Sequence, residues 1–400
     1  MSGDRVTGTR SAQVRPMHTH QPRAADPAEC YRAGDIIAGK YRLDEETREG
    51  GMCRVWMGVN ALLDLPVAIK FIHPRLRCPE LARCLLREAR AIAALQHPAI
   101  VRVFDSGEFS PHNPFIVLER LEGEDLRQFL CRKRRLTANE AVRLLLPVAS
   151  GVQAAHARGI IHRDLKPENI LLARDDAGRI QPKVLDFGIA TLRWEERCQR
   201  ATERRSVGTV GYMPPEQAFD LEGMDHRVDV WAFSAVLYEA LAGDTPFSAR
   251  SLEDMRRALM HDVIPSLVER ADVDSSLWSI IERGLRLDPD ERWANMRELG
   301  QALAQWLVSR GANEDVSGRS IAAEWFADSP LDAVTSCRAP NGTSMESDQQ
   351  VTVPFPLLKG RDYTTDRQEA LSALARLDAL RPIRSEAWRR GVNAQSRLAG

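Results

Sequence analysis

The run His162-Arg-Asp-Leu-Lys-Pro-Glu-Asn169 sets an aspartate, a lysine and an asparagine close together, and Asp186-Phe-Gly188 follows 17 residues after Asn169. An aspartate held in a loop, here Asp164, can accept the proton of an attacking hydroxyl. Asn169 and Asp186 offer hard oxygen donors, the kind magnesium takes when it is carried on a polyphosphate. Two residues after Asp164 stands Lys166, and Val67-Ala-Ile-Lys70 ends a predicted strand on a second lysine. Of the 55 basic residues only six are lysine, about one in nine, at positions 40, 70, 133, 166, 183 and 359. Lysine at both 70 and 166 by chance has odds of about one in eighty, so these two compact ammonium groups stand out against the arginine-rich background.

The stretch 162–188 resembles the catalytic and magnesium-binding loops of the eukaryotic-type (Hanks-type) serine/threonine protein kinases, and the resemblance extends from Tyr41 to Ser309. It implies Asp164 as the base, Lys166 on the transferring phosphoryl, Asn169 and Asp186 on magnesium, and Lys70 on the α- and β-phosphates of ATP. It also pairs Lys70 with Glu88, 18 residues on. Asp-Leu-Lys-Pro-Glu-Asn and Gly208-Thr-Val-Gly-Tyr212 are the forms of enzymes that act on serine or threonine, and Thr209 is implied to contact Asp164 and Lys166. Adenine is expected against the backbone of Glu119-Arg-Leu121, with Leu118 behind it and Val55 and Ala68 among the nucleotide-binding residues. Asp125 stands either to reach the ribose hydroxyls or to cap a helix.

The resemblance weakens at the phosphate loop. Where the family has G-x-G-x-x-G, this chain reads Arg48-Glu-Gly-Gly-Met-Cys53. Gly50 and Gly51 still allow close backbone approach to the phosphates, and Arg48 offers a guanidinium to the nucleotide. Met213-Pro-Pro-Glu216 departs from Ala-Pro-Glu but keeps the carboxylate, whose expected partner is Arg292. Asp229 is implied to hold the backbone of the catalytic loop, with His162 structural beneath it. Ser234 replaces a usual glycine, and His97, His156 and His261 read as packing or turn residues. Arg163, directly before Asp164, implies an activation segment ordered by phosphorylation. The basic segment Ile189–Val207 carries Thr202 and Ser206 as the candidate autophosphorylation sites.

The expected activity is transfer of the γ-phosphoryl of Mg-ATP to Ser or Thr of protein substrates, with self-association for autophosphorylation. A pseudokinase scaffold is the alternative that the altered glycine loop raises. A small-molecule kinase of related fold is the third reading, disfavoured by the peptide-organising segments 208–216. The Pro-Glu-Asn form and the His97-Pro-Ala-Ile-Val101 turn look most like bacterial members of the family.

Positioning these groups needs strands first and helices after. Val55–Val59, Val67–Ile72 and Phe115–Glu119 read as strands. Leu81, Leu85, Ala89 and Ile92 give the segment Pro79–Leu95 one apolar helical face. Beyond Glu124 the periodicity turns helical, at 138–158, 228–242, 252–261, 277–286 and 296–308. The resulting expectation is an α+β, bilobal protein-kinase-like fold: a small β-rich N-lobe over 41–119 and a larger α-helical C-lobe over 122–309. Residues 1–34 read as a flexible arm, and 311–400 as a polar, loosely structured tail with a short helix at 368–380.

The chain has 400 residues, 44% hydrophobic, and 55 basic against 56 acidic residues, so no global field draws it to nucleic acid. Seven scattered cysteines with no Cys-x-x-Cys spacing argue against a disulfide framework and for a reducing, cytoplasmic setting. The longest apolar stretch, Val230–Leu237, is far short of a membrane span, and Met1–Arg32 holds no apolar run of the kind a signal peptide needs.

Overall fold

The computed structural model describes residues 31–49, 53–73, 78–110, 113–175, 177–187, 210–219, 221 and 224–327. Its first part is a six-stranded antiparallel sheet in the order β1-β2-β3-β4-β6-β5. The strands are β1 Ile36–Ile37, β2 Tyr41–Glu49, β3 Cys53–Asn60, β4 Leu65–Ile72, β5 Val103–Ser110 and β6 Asn113–Glu119. Helix α1, Pro79–Ala93, lies between β4 and β5 in the chain.

Register decides which face of this sheet does what. Val55 pairs with Lys70, and Ala68 with Leu118. Side chains alternate along a strand, so Val55, Ala68, Lys70 and Leu118 share one face. Trp56, Ile69, Phe71, Phe115 and Val117 fill the other with Tyr41 and Leu43 as an apolar cluster. Leu81, Leu85 and Ala89 of α1 pack on Ile72 and Ile116, which closes the end of the Lys70 face.

The second part is helical. The hairpin-like sheet β7 Gly123–Asp125, β8 Ile170–Arg174 and β9 Ile180–Val184 forms its upper edge. Beneath it lie α2 Leu126–Lys133, α3 Ala138–His156, α4 Pro215–Ala218, α5 Arg227–Ala242, α6 Leu252–His261, α7 Leu267–Arg270, α8 Ser275–Gly284 and α9 Met296–Val308. Helix α5 is buried on all sides from Val228 to Leu241, as its largely apolar composition requires, and it carries Asp229, Ser234 and Glu239 into the interior with it. The α+β bilobal expectation is met, and element ends agree with the periodicity to within a few residues.

Both expected boundaries of the folded body shift outward. The N-terminal arm does not extend to residue 34. Tyr31 is buried, stacks on Phe71 at 4.0 Å between ring centroids, and donates its hydroxyl to Asn113 at 2.9 Å. At the other end the loose tail does not begin at 311. Residues 312–326 fold back as a strap ending in α10, Ile321–Trp325, with Ile321 and Trp325 buried.

Two local features receive the strap. Pro147 lies inside α3 and has no N–H to offer the Arg143 carbonyl four residues earlier. The strap's Val316 N–H takes that carbonyl at 3.1 Å, while the Arg143 guanidinium donates to the Glu314 and Asp315 carbonyls at 2.9 and 3.2 Å. Gly300 on α9 admits the Trp325 ring, since a Cβ there would stand 2.1 Å from it. The predicted helix at 368–380 lies outside the described residues, as does the rest of 328–400. Among the described residues no helix is long and apolar enough to cross a membrane.

Candidate active site

The loop between α3 and β8 is held from below by a single carboxylate. Asp229, fully buried near the start of α5, accepts the His162 and Arg163 N–H groups, each at 2.7 Å, and meets His156 Nε2 at 2.7 Å. Burial by itself pushes this carboxyl up. The hydrogen bond from His156, the charges of His156 and His162, and the Arg163 N–H more than offset it and hold Asp229 below the usual carboxylate range. His162 is structural, as expected, with its ring Nε2 2.9 Å from the Leu185 carbonyl. The clamp lets Arg163 sit at φ 65, a left-handed conformation that a non-glycine residue keeps only when its surroundings impose it.

On that support the loop presents its chemistry. Lys166 Nζ donates to Asp164 Oδ2 at 2.8 Å. The Asn169 amide donates to the Asp164 carbonyl at 2.8 Å and to Asp164 Oδ2 at 3.1 Å. Asn169 sits in the helical turn Pro167–Asn169 and leads straight into β8. Across the cleft, Lys70 Nζ lies 2.7 Å from Asp186 Oδ1, and Asp186 also adopts a left-handed conformation, φ 47. One small volume therefore holds a loop carboxylate, two ammonium groups and two oxygen donors drawn from both lobes.

The donor chemistry fits magnesium carried on a nucleotide. The Asn169 amide nitrogen is committed to Asp164, which leaves its carbonyl oxygen as the donor, and Asp186 adds a carboxylate. Two hard oxygens suit a cation that takes the rest of its shell from phosphate and water.

Other expected residues fall as follows. Val55, Ala68 and Leu118 line the sheet face that carries Lys70. Glu119 and Leu121 form the connection between the lobes, and the Glu119 N–H is bonded to the Arg102 carbonyl at 2.9 Å. Asp125 caps α2 in a reciprocal box with Gln128, accepting its N–H at 2.8 Å. The backbone of Arg48 pairs with Val55 near the end of β2. The side chains of Arg48 and Glu88 lie outside the described residues, and so do Gly50, Gly51, Thr202, Ser206 and Thr209 entirely.

The Glu216–Arg292 pair is present as expected: buried and bidentate, with both N···O distances 2.7 Å. The remaining Arg292 donors reach the Arg286, Arg227 and Leu287 carbonyls at 2.8, 3.1 and 3.2 Å. Ser234 hydrogen-bonds back to the Val230 carbonyl at 2.8 Å.

Sequence reasoning missed two arrangements. Lys183 on β9 pairs with Glu119 at 2.7 Å and so ties the inter-lobe connection to the strand that precedes Asp186. Its signal was available, because it is one of only six lysines. Arg127 gathers Glu168, Glu239 and the Tyr212 hydroxyl beside the catalytic loop. The three partners lie 41 to 112 positions from Arg127, and no spacing rule connects them to it.

His97 provides a pH prediction. Burial above all lowers it to about 4 from 6.5, with Arg319 and Lys183 adding to the effect and Glu324 opposing it. The folded value lies below the unfolded one, so between about 4 and 6.5 the unfolded chain binds more protons and stability rises with pH. Lowering the pH from 7 to 5 costs about 2 kcal/mol at this residue. Urea midpoints at the two pH values test it: the wild type loses more stability than His97→Asn, and equal losses would refute the assignment.

The family model described as Protein kinase domain matches residues 41–305. Serine/threonine-protein kinase Pkn1 of Myxococcus xanthus is 36% identical over 296 residues, 73% of this chain and 42% of that protein. Serine/threonine-protein kinase PknB of Mycolicibacterium smegmatis is 32% identical over 349 residues, 86% of this chain and 54% of its own length. The chain thus spans about half the length of these curated relatives. Among solved structures, the Mycobacterium tuberculosis PknI kinase domain superposes with a TM-score of 0.55 at 25% identity, covering 69% of this chain and 99% of that one. The PpkA-294 apo form reaches 0.57 at 22% identity over 68% of this chain and 99% of that one, which supports the fold alone. A bilobal fold, a loop aspartate braced by lysine and asparagine, a cross-lobe lysine–aspartate pair and the family match over 41–305 lead to one conclusion: this chain belongs to the protein kinase domain family.

Proposed function

We propose that the protein transfers the γ-phosphoryl of Mg-ATP to serine or threonine hydroxyls of protein substrates. The observation that carries this reading is Asp164 held between Lys166 and Asn169 at 2.8 and 3.1 Å, with every acid, base and metal-ligand position of the family pattern retained. Bound Mg-ATP supplies the transferable phosphoryl group. Asp164 receives the acceptor's proton and orients its oxygen, and the Asn169 amide keeps the carboxylate turned toward the cleft. Lys166 is placed to neutralise charge that develops during transfer. Asn169 and Asp186 would hold the metal, and Lys70, already beside Asp186, would hold the phosphates. Val55, Ala68 and Leu118 would enclose the adenine against Glu119–Leu121, with Leu171, in register with Asp125 and Lys183, as its floor. The unshared Asp125 oxygen would face the ribose.

Incubating the chain with γ-labelled ATP, magnesium and a protein substrate, then mapping the label, tests this. Label on Ser and Thr is the expected result; nucleotide binding without label would favour the scaffold reading. Autophosphorylation belongs to the same proposal. Arg163 carries a buried Nε without a hydrogen-bond partner among the described residues, which suits a phosphate arriving on the activation segment. The Thr202→Ala, Ser206→Ala double mutant should lose most of its activity, roughly tenfold or more. Full activity of that mutant would remove both sites from consideration.

A further inference from the structure

The strap's last helix returns to the catalytic domain at one polar point. Glu324 accepts a hydrogen bond from the Ser150 hydroxyl of α3, and Ser150 Oγ lies 3.1 Å from His97 Nε2. The Ala99 N–H donates to His97 Nδ1 at 3.1 Å. That contact makes Nδ1 an acceptor and places the ring proton on Nε2, so the order of donation is Ala99 N–H to His97, His97 to Ser150, Ser150 to Glu324. The low pKa of His97 keeps the ring neutral at neutral pH, the only form able to accept at one nitrogen and donate at the other.

The relay ends on backbone that matters to catalysis. The Ala99 carbonyl accepts the Val184 N–H at 2.8 Å, and the Val101 N–H donates to the Val184 carbonyl at 3.0 Å. Val184 is two residues before Asp186. Helix α3 backs directly onto the same segment, since a Cβ on Gly151 would stand 3.2 Å from the Ala99 carbonyl. Asp186 holds a left-handed φ that the surrounding structure must impose.

We propose that Glu324 is a positioning residue for the magnesium-nucleotide site, acting through Ser150 and His97 to fix the Ala99–Val101 backbone that aligns Val184 and hence Asp186. The inference rests on the kinase reading for its consequence in turnover, and on nucleotide binding for its test. The strap lies beyond the matched family segment, which ends at residue 305. A purely structural strap would stabilise the domain without altering Asp186, and the two roles separate experimentally.

The test is titration calorimetry of the full chain with magnesium and a non-hydrolysable ATP analogue, together with thermal unfolding. Glu324→Ala and Ser150→Ala should each weaken nucleotide binding about three- to fivefold, and the double mutant by no more than either alone. Glu324→Gln, which keeps the accepting oxygen, should bind within about twofold of wild type. Gln301→Ala removes a hydrogen bond to the Trp325 carbonyl and loosens the strap without touching the relay. It should lower the melting temperature and leave affinity unchanged. The proposal is overturned if Glu324→Ala binds like wild type, if the double mutant shows the product of the single effects, or if Gln301→Ala weakens binding as much. A wild type that binds the analogue but transfers no phosphoryl group overturns the kinase reading and leaves the relay standing.

Discussion

Asp164→Asn is expected to lower the turnover number about a thousandfold while leaving Mg-nucleotide affinity within about twofold of wild type. Of the proton acceptors in the catalytic loop, His162 is buried beneath it and Glu168 is paired with Arg127, which leaves the Asp164 carboxylate to take the acceptor's proton, held for that role by two donors, Lys166 at 2.8 Å and the Asn169 amide at 3.1 Å. An asparagine occupies the same volume and keeps one oxygen toward those donors, so the loop retains its shape. What disappears is the negative charge that draws the proton away and orients the hydroxyl. Nucleotide affinity is spared because Lys70, Asp186 and the Asn169 carbonyl are untouched. Steady-state kinetics on a peptide substrate, with nucleotide titrated separately, measures both quantities. A fall of less than tenfold in turnover would mean that another group, or water, serves as the base.

Arg292→Ala destabilises the protein by about 3–5 kcal/mol, and Glu216→Ala by a comparable amount at the lower end of that range. Either change strands a buried charge, since Arg292 is 1% exposed and Glu216 is 7% exposed. Arg292 costs more because its loss also orphans the Arg286, Arg227 and Leu287 carbonyls that its other donors satisfy. Arg292→Lys restores little, as an ammonium cannot make two parallel bonds to one carboxylate while reaching three carbonyls. Denaturant midpoints provide the measurement, and the loss should change little between low and high salt because solvent ions do not screen a buried pair. A loss below about 1 kcal/mol, or one that vanishes in salt, would reclassify the pair as an exposed bridge.

Much of the active site could be read from the chain because its groups lie on short loops with fixed offsets. Asp164, Lys166 and Asn169 lie within six consecutive positions, and the hydrogen bonds among them span two or five residues. Lys70 could be placed because Val67-Ala-Ile-Lys70 ends a predicted strand where the resembled family keeps a lysine, and the arginine-rich composition made a lysine there informative. The Glu216–Arg292 pair, 76 positions apart, was legible only through resemblance to a family. Lys183 with Glu119, the Arg127 cluster and the Glu324 relay were not legible by either route. Each depends on which side chains meet after two lobes and a strap have packed.

The boundaries failed for a related reason. Residues 31–34 and 312–326 are polar enough to read as solvated extensions, and their large buried apolar groups, Tyr31, Ile321 and Trp325, show no periodicity of their own. They fold because complementary features wait elsewhere: the Phe71 ring, the bare Gly300 surface and the Arg143 carbonyl that Pro147 leaves without a donor.

By itself the sequence determined the fold class, the order of the elements and the identities of the chemical groups, because periodicity, turn residues and loop motifs act over a few residues. Only the tertiary structure decided how the strap couples to the backbone before Asp186, since a hydrogen bond between residues 174 positions apart, such as Ser150 to Glu324, exists only once packing has brought both to one place.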